Sequence, residues 1–130
     1  MTELLPGLKG VAETVVGPDN TADMAGSGTL PVFATPFMIA LMEKAALGSV
    51  RPCLDEAEST VGTHIDVSHL SAALMGAAVR AESELTAVDG RKLTFTVRAY
   101  AGDTLLGEGS HQRFVINSER FMQKLLAKQE

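Results

Sequence analysis

One glutamate stands in a stretch that contains no other acid. From Val32 to Gly48 the chain reads VFATPFMIALMEKAALG, and the six residues Phe37 to Met42 are all apolar before Glu43 appears. Drawing an unpaired carboxylate into such surroundings costs several kcal/mol or makes it more basic, and a more basic carboxylate suits general base catalysis at neutral pH. The competing reading puts Glu43 on the one wet edge of a helix, beside Lys44, with no chemical task. The residues alone leave the two readings even.

Other side chains have types that suit the same chemistry. Thr35, before Pro36, reads first as a helix N-cap whose hydroxyl takes up a free backbone N–H. That hydroxyl would also sit at the positive end of the helix dipole, where developing negative charge is stabilised. His69 ends an apolar strand pattern beside Ser68 and near Ser71. Its titration range suits acid–base work, although a lone histidine is more often a hydrogen-bonded structural residue. His64 and His111 have weaker claims: His64 alternates outward next to Asp66, and His111 lies near Arg113 on a late strand able to face a site. Gly62 interrupts a strand pattern, which often marks close backbone approach by a ligand.

Spacing limits how these groups combine. Thr35 and Glu43 are eight residues apart, about 12 Å along a helix and roughly a quarter-turn apart in direction. One helix therefore cannot set both on one small reacting group. A site that uses both is most easily built between two copies of the chain, which implies a dimer with two symmetry-related sites.

The elements that must position these residues follow from turn and periodicity signals. Leu8–Val16 reads as a strand closed by Gly17-Pro18-Asp19-Asn20. Thr21–Leu30, TADMAGSGTL, reads as a mobile loop. The helix opens at Thr35 with Pro36 in the first helical position, and Gly48 ends it. Its nearly all-round apolar surface implies burial on most sides. Thr60–His69 alternates, placing Val61, Thr63, Ile65, Val67 and His69 on one face. Gly76–Val88 sets Arg80, Glu82 and Glu84 opposite Val79, Ala81 and Leu85. Asp89-Gly90 turns into Lys92–Tyr100, with Leu93, Phe95 and Val97 inward. Gly102-Asp103 turns into Thr104–Ile116, and Asn117-Ser118-Glu119 opens a last helix bearing Phe121, Met122, Leu125 and Leu126. One helix across a curved antiparallel sheet is an α+β layout.

Composition narrows the classes. The 130 residues make one domain, 1–130, large enough for a core without disulfides or a structural metal. A net charge of −5 and scattered basic residues argue against nucleic-acid binding. Cys53 is the single cysteine, and no Cys/His spacing suggests a metal site. The longest apolar run, Pro36 to Met42, is too short to cross a membrane, and the N-terminus lacks signal-peptide character, so a cytoplasmic protein is expected. There is no Gly-rich phosphate loop, Walker lysine or dinucleotide fingerprint.

Three stretches together resemble a known family. VFATPFMIALMEKAA, VGTHIDVSH and VDGRKLTFTVRAYAGDTLLGEGSHQRFVI are similar to the hot-dog-fold acyl-CoA thioesterases, in particular the fluoroacetyl-CoA thioesterase type. The resemblance runs from about Val32 to Ile116. It implies that Thr35, Glu43 and His69 form the catalytic group, that Gly62 offers its N–H to the thioester carbonyl oxygen, and that Arg113 lies near the site. Phe33 is carried over as a substrate-binding aromatic. It further implies a homodimer whose two central helices are wrapped by a continuous sheet, with pairing of dimers into tetramers left open. No metal or cofactor is expected beyond the coenzyme A of the acyl-CoA substrate. The family has phenylalanines before the motif as a lid over the acyl group, whereas this chain has Gly26 and Thr29 in MAGSGTL, so another short or branched acyl group fits the pattern as well. An enoyl-thioester hydratase on the same fold and a non-catalytic acyl-CoA binding module are the alternatives.

Overall fold

The computed structural model describes residues 3–129; residues 1, 2 and 130 of the expected domain lie outside it. Strand β1 (Lys9–Val15) is followed by a one-turn helix α1 (Ala22–Ala25) and the long helix α2 (Thr35–Val50). Four strands follow: β2 (Glu58–His69), β3 (Ala78–Asp89), β4 (Lys92–Ala101) and β5 (Thr104–Asn117), and then helix α3 (Ser118–Lys128). The strands form one antiparallel sheet in the order β1-β3-β4-β5-β2. Helix α2 lies across its inner face. This is the expected α+β layout.

The core forms where the apolar stripe of α2 meets alternate strand residues. Met38, Leu41, Met42, Ala45, Ala46 and Val50 of the helix are buried. Leu85, Leu93, Phe95, Val97 and Leu106 meet them from the sheet. Leu93, Phe95 and Val97 face inward as the alternation predicts, with Arg98 exposed between Val97 and Ala99.

The helix is covered less completely than its composition suggests: Phe37, Ala40 and Lys44 lie on an exposed side. Gly48 does not end it. The helix runs to Val50 and passes into a 3-10 turn at Arg51–Cys53, because glycine weakens a helix without forbidding it. Residues 21–30 contain α1 in place of a featureless loop. The two hairpin loops are Gly90-Arg91 and Gly102-Asp103, and both glycines adopt left-handed φ, +60° and +59°. The first turn thus sits one residue later than Asp89-Gly90, since Asp89 pairs with Lys92 in the ladder. Helix α3 is capped by Asn117, whose side chain accepts from the Arg120 N–H at 3.0 Å. Its Met122, Leu125 and Leu126 are exposed.

The helix backbone comes close to the sheet at Gly10. A Cβ there would overlap the Ala45 carbonyl oxygen and lie 2.8 Å from Ser49 Cβ. The main obstacle is backbone, which no rotamer change moves aside. Gly10→Ala is expected to lower stability by about 1–3 kcal/mol. Urea unfolding reads this as a lower midpoint at unchanged slope. An unchanged midpoint would mean that α2 can lift off β1 at no cost.

Candidate active site

Thr35 is not the N-cap. Ala34 occupies that position, with no side-chain cap, and Thr35 is the first helical residue, with Pro36 second. This frees the threonine hydroxyl for a partner outside the helix. Its Oγ1 lies 2.6 Å from Nδ1 of His69, at the end of β2. The shared proton sits on either atom according to the imidazole tautomer. The other ring nitrogen of His69, Nε2, is buried with no hydrogen-bond partner among the described residues. A buried ring nitrogen left unpaired costs about 1–3 kcal/mol.

Glu43 belongs to a second cluster, about 12 Å along the helix from Thr35 by the standard rise. Its side chain is 41% exposed, so of the two readings the single chain favours the wetter edge over deep desolvation. Oε2 lies 3.6 Å from Nη1 of Arg113 on β5. The Arg113 side chain is 7% exposed, which would be costly for a bare guanidinium. Its other donors are satisfied: Nε donates to Thr60 Oγ1 at 2.7 Å and Nη2 to the Thr60 carbonyl at 2.9 Å. Burial pushes the guanidinium below its ordinary value, and Glu43 opposes the shift.

His111 completes this cluster. It is 1% exposed and lies two residues before Arg113 on the inner face of β5. Its Nδ1 is 2.8 Å from the carbonyl oxygen of His64, which can only accept, so Nδ1 carries the proton. Nε2 is then an acceptor, and Arg113 Nη1 donates to it at 3.2 Å. Burial is the main reason its basicity falls below the ordinary histidine value. Arg113 adds to the fall, while the His64 carbonyl and Glu43 oppose it.

Gly62 joins the second cluster through an irregularity in β2. The ladder pairs Gly62 with Arg113 but His64 with Gln112, leaving Thr63 as the extra residue of a β-bulge. The bulge reverses the alternation before it. Val61 and Thr63 therefore do not share a face with Ile65, Val67 and His69. Thr60 and Gly62 do, pairing with Val115 and Arg113 of the buried face. Thr63 Oγ1 donates to the Gln112 carbonyl at 3.2 Å and ties the bulge to β5. A Cβ on Gly62 would lie 2.7 Å from Glu43 Oε2, 3.3 Å from His111 Cε1 and 3.5 Å from Arg113 Nη1. The carboxylate thus rests against the bare backbone of residue 62.

The sequence model of the FlK family, described as fluoroacetyl-CoA-specific thioesterase, matches residues 16–119. The chain belongs to this family. The fluoroacetyl-CoA thioesterase of Streptantibioticus cattleyicolor is 41% identical to the FlK-family chain over 97 residues, which are 75% of this chain and 70% of that protein. The solved structure of the fluoroacetyl-CoA thioesterase FlK superimposes with a TM-score of 0.92 at 34% identity, covering 98% of each chain. A variant of that enzyme in complex with fluoroacetate and CoA superimposes with a TM-score of 0.85 at 35% identity, over 91% of this chain and 99% of the other. The architecture is the hot-dog fold.

Within this FlK-family chain the site residues fall into separate sets. Thr35 meets His69, and Glu43 meets Gly62 and Arg113. Phe33 contacts neither set through a hydrogen bond; it is 2% exposed, packs in the core and lines a small cavity with Asn20, Phe37, Ala40 and Lys44. Two members of the Glu43 cluster escaped the sequence reading, which ranked His111 low and passed over Thr60. The signal was available for both. His111, Arg113 and Val115 alternate on one strand face, and Thr60 and Gly62 alternate on its neighbour.

Proposed function

We propose that this chain is an acyl-CoA thioesterase that hydrolyses a short or small acyl-CoA to free acid and CoA. Its catalytic group is Thr35, Glu43 and His69, completed across a homodimer. Membership of a thioesterase family supports the reaction class. The observation that carries the shared site is the division of one helix between two clusters, with the Thr35–His69 pair near one end and Glu43 two turns further on.

In this reading the thioester carbonyl sits against the Gly62 N–H, at a bulge where the ladder is interrupted. Water adds to the carbonyl carbon and gives its proton to Glu43; alternatively the carboxylate itself attacks, and water then hydrolyses the resulting Glu43–acyl anhydride to the free acid. The oxyanion forms against the Gly62 N–H, which is worth about 3 kcal/mol for such a donor. Collapse breaks the C–S bond, and the departing thiolate takes up a proton relayed by His69. Thr35 holds the imidazole and positions the acyl group, while Arg113 keeps Glu43 in place. No metal or cofactor is needed beyond the CoA of the substrate. The acyl group is short or branched: the segment ahead of the motif offers Gly26, Ser27, Gly28 and Thr29, all exposed and small.

Strand order supports the dimer as well. β2 is an edge strand of twelve residues, largely exposed beyond Val61. A long free edge of this kind calls for a partner strand. We treat residues 1–130 as a single domain. No helix among the described residues is long and apolar enough to cross a membrane. Cys53 is buried and unpaired, which suits the reducing cytoplasm in which we place the enzyme.

The test is thiol release from a panel of acyl-CoAs spanning acetyl, fluoroacetyl, branched short-chain, medium-chain and aromatic groups. Hydrolysis that peaks on the small members supports the reading. Hydration of an enoyl-CoA, or tight binding with no thiol released, overturns it. The shared site has its own test. Thr35→Ala and Glu43→Gln proteins are unfolded together and refolded as a mixture. Half the dimers are then mixed and each holds one intact site of two, so about a quarter of wild-type turnover is expected to return. Turnover no higher than the average of the two parents would place each whole site within one chain.

A further inference from the structure

A buried titratable side chain of the Glu43 cluster, His111, has no part in the proposed chemistry. His111 is buried, has both ring nitrogens engaged, and makes none of its contacts to the Thr35–His69 pair. Its Nδ1–H reaches across from β5 to the carbonyl of His64, the first residue after the bulged Thr63. Bulged strands bend and twist locally, and their backbone direction is decided by whatever ties them down. Two side-chain hydrogen bonds join residues 63 and 64 to β5, and they differ in length and exposure. Thr63 Oγ1 to the Gln112 carbonyl is an exposed contact at 3.2 Å, whereas the His111 bond is shorter and the ring is shielded by stacking on Phe95 at a centroid distance of 6.1 Å. On the far side of the bulge, His111 Cε1 lies 3.3 Å from the point where a Gly62 Cβ would sit.

We infer that His111 is a positioning residue for the thioesterase reaction: it holds the β2 bulge, through the His64 carbonyl, in the shape that sets the Gly62 backbone against Glu43. The inference rests on the reading of Gly62 as the oxyanion donor. Of the imidazole's protonation states, only the neutral Nδ1–H form both donates to the His64 carbonyl and accepts from Arg113. The charged and titratable groups facing the ring are Arg113, Glu43 and His64. Arg113, whose Nη1 lies 3.2 Å from Nε2, disfavours a second ring proton.

Two variants separate the ties. Asn places an amide where Nδ1 stands and keeps the bond to the His64 carbonyl; Gln reaches toward Arg113 and abandons that carbonyl. Both lose the ring and its stacking, so a purely structural role affects them alike. His111→Gln is expected to lower kcat by about tenfold or more with KM little changed, because an oxyanion donor acts only in the transition state. His111→Asn is expected to stay within a few-fold of wild type. Equal activities in the two variants would overturn the inference.

A second measurement uses the wild-type protein and needs no variant to fold. Nitrogen-15 NMR of the imidazole rings at neutral pH should report His111 as the Nδ1–H tautomer; an Nε2–H tautomer, which cannot donate to the His64 carbonyl, would overturn the anchor. A wild type with no activity on any acyl-CoA, yet with the expected tautomer, would fail the thioesterase reading while leaving the anchor of the bulge in place.

Discussion

Replacing Glu43 with Gln is expected to lower thiol release by roughly a thousandfold, the middle of the range for removal of a general base, with the fold unchanged. The substitution keeps the shape and the hydrogen-bonding reach of the side chain. It removes only the negative charge and the ability to take a proton. The structural cost is small because the carboxylate is half-exposed and sits 3.6 Å from Arg113, beyond a close ion pair. Arg113 keeps its two bonds to Thr60, so its buried guanidinium stays satisfied on that side. The unfolding midpoint is therefore expected to move little, while kcat collapses and KM holds. Turnover near wild type would remove Glu43 from the mechanism and return it to the reading of a solvated helix edge.

Gly62→Ala is expected to produce the second largest loss, again with the fold retained. The backbone at residue 62 is ordinary, with no left-handed φ, so alanine meets no conformational penalty. The added methyl group meets Glu43 Oε2, 2.7 Å away, the free end of a flexible side chain, and His111 Cε1 at 3.3 Å, a contact that the ring must ease by a few tenths of an ångström. The carboxylate can swing out, giving up only its 3.6 Å contact with Arg113. It then no longer stands against the backbone of residue 62, and the methyl group occupies the space that a thioester carbonyl needs. A misplacement of about 1 Å is enough for a loss of roughly a hundredfold. Thermal unfolding within a few degrees of wild type, combined with that loss in kcat/KM, is the expected pair of readings. If Gly62→Ala turns over normally, the substrate does not approach the bulge. If it unfolds, Glu43 is held more rigidly than its exposure implies.

Much of the fold was legible because local rules decide it. Period-two alternation put Leu93, Phe95 and Val97 inward on β4, and Gly90 and Gly102 stand in the hairpins that the turn signals required. Asn117 opens α3 as a capping residue should. The misreadings share a cause. Thr35 fits the statistics of an N-cap, yet its hydroxyl is taken by His69, which lies thirty-four residues away in the chain. Gly48 fits a helix stop, yet α2 continues because Val50 is buried against the sheet and packing outweighs the propensity of one glycine. The face assignment of β2 failed at Thr63, where one extra residue shifts everything before it to the opposite side.

The sequence by itself determined which chemistry is present: a carboxylate in an apolar helix, a threonine at its start, a histidine at a strand end, and a glycine where a side chain was expected. Their types and their motif were enough to indicate a thioesterase. Only the tertiary structure decided which of them meet. That the glutamate stands beside Arg113, Gly62 and His111 rests on a bulge of one residue and on hydrogen bonds from His111 and Arg113 on β5 to β2 residues 64 and 60, forty-seven and fifty-three positions away. Such contacts have no periodicity to reveal them. They exist because strand register, set by the whole buried face, brings distant parts of the chain to one point.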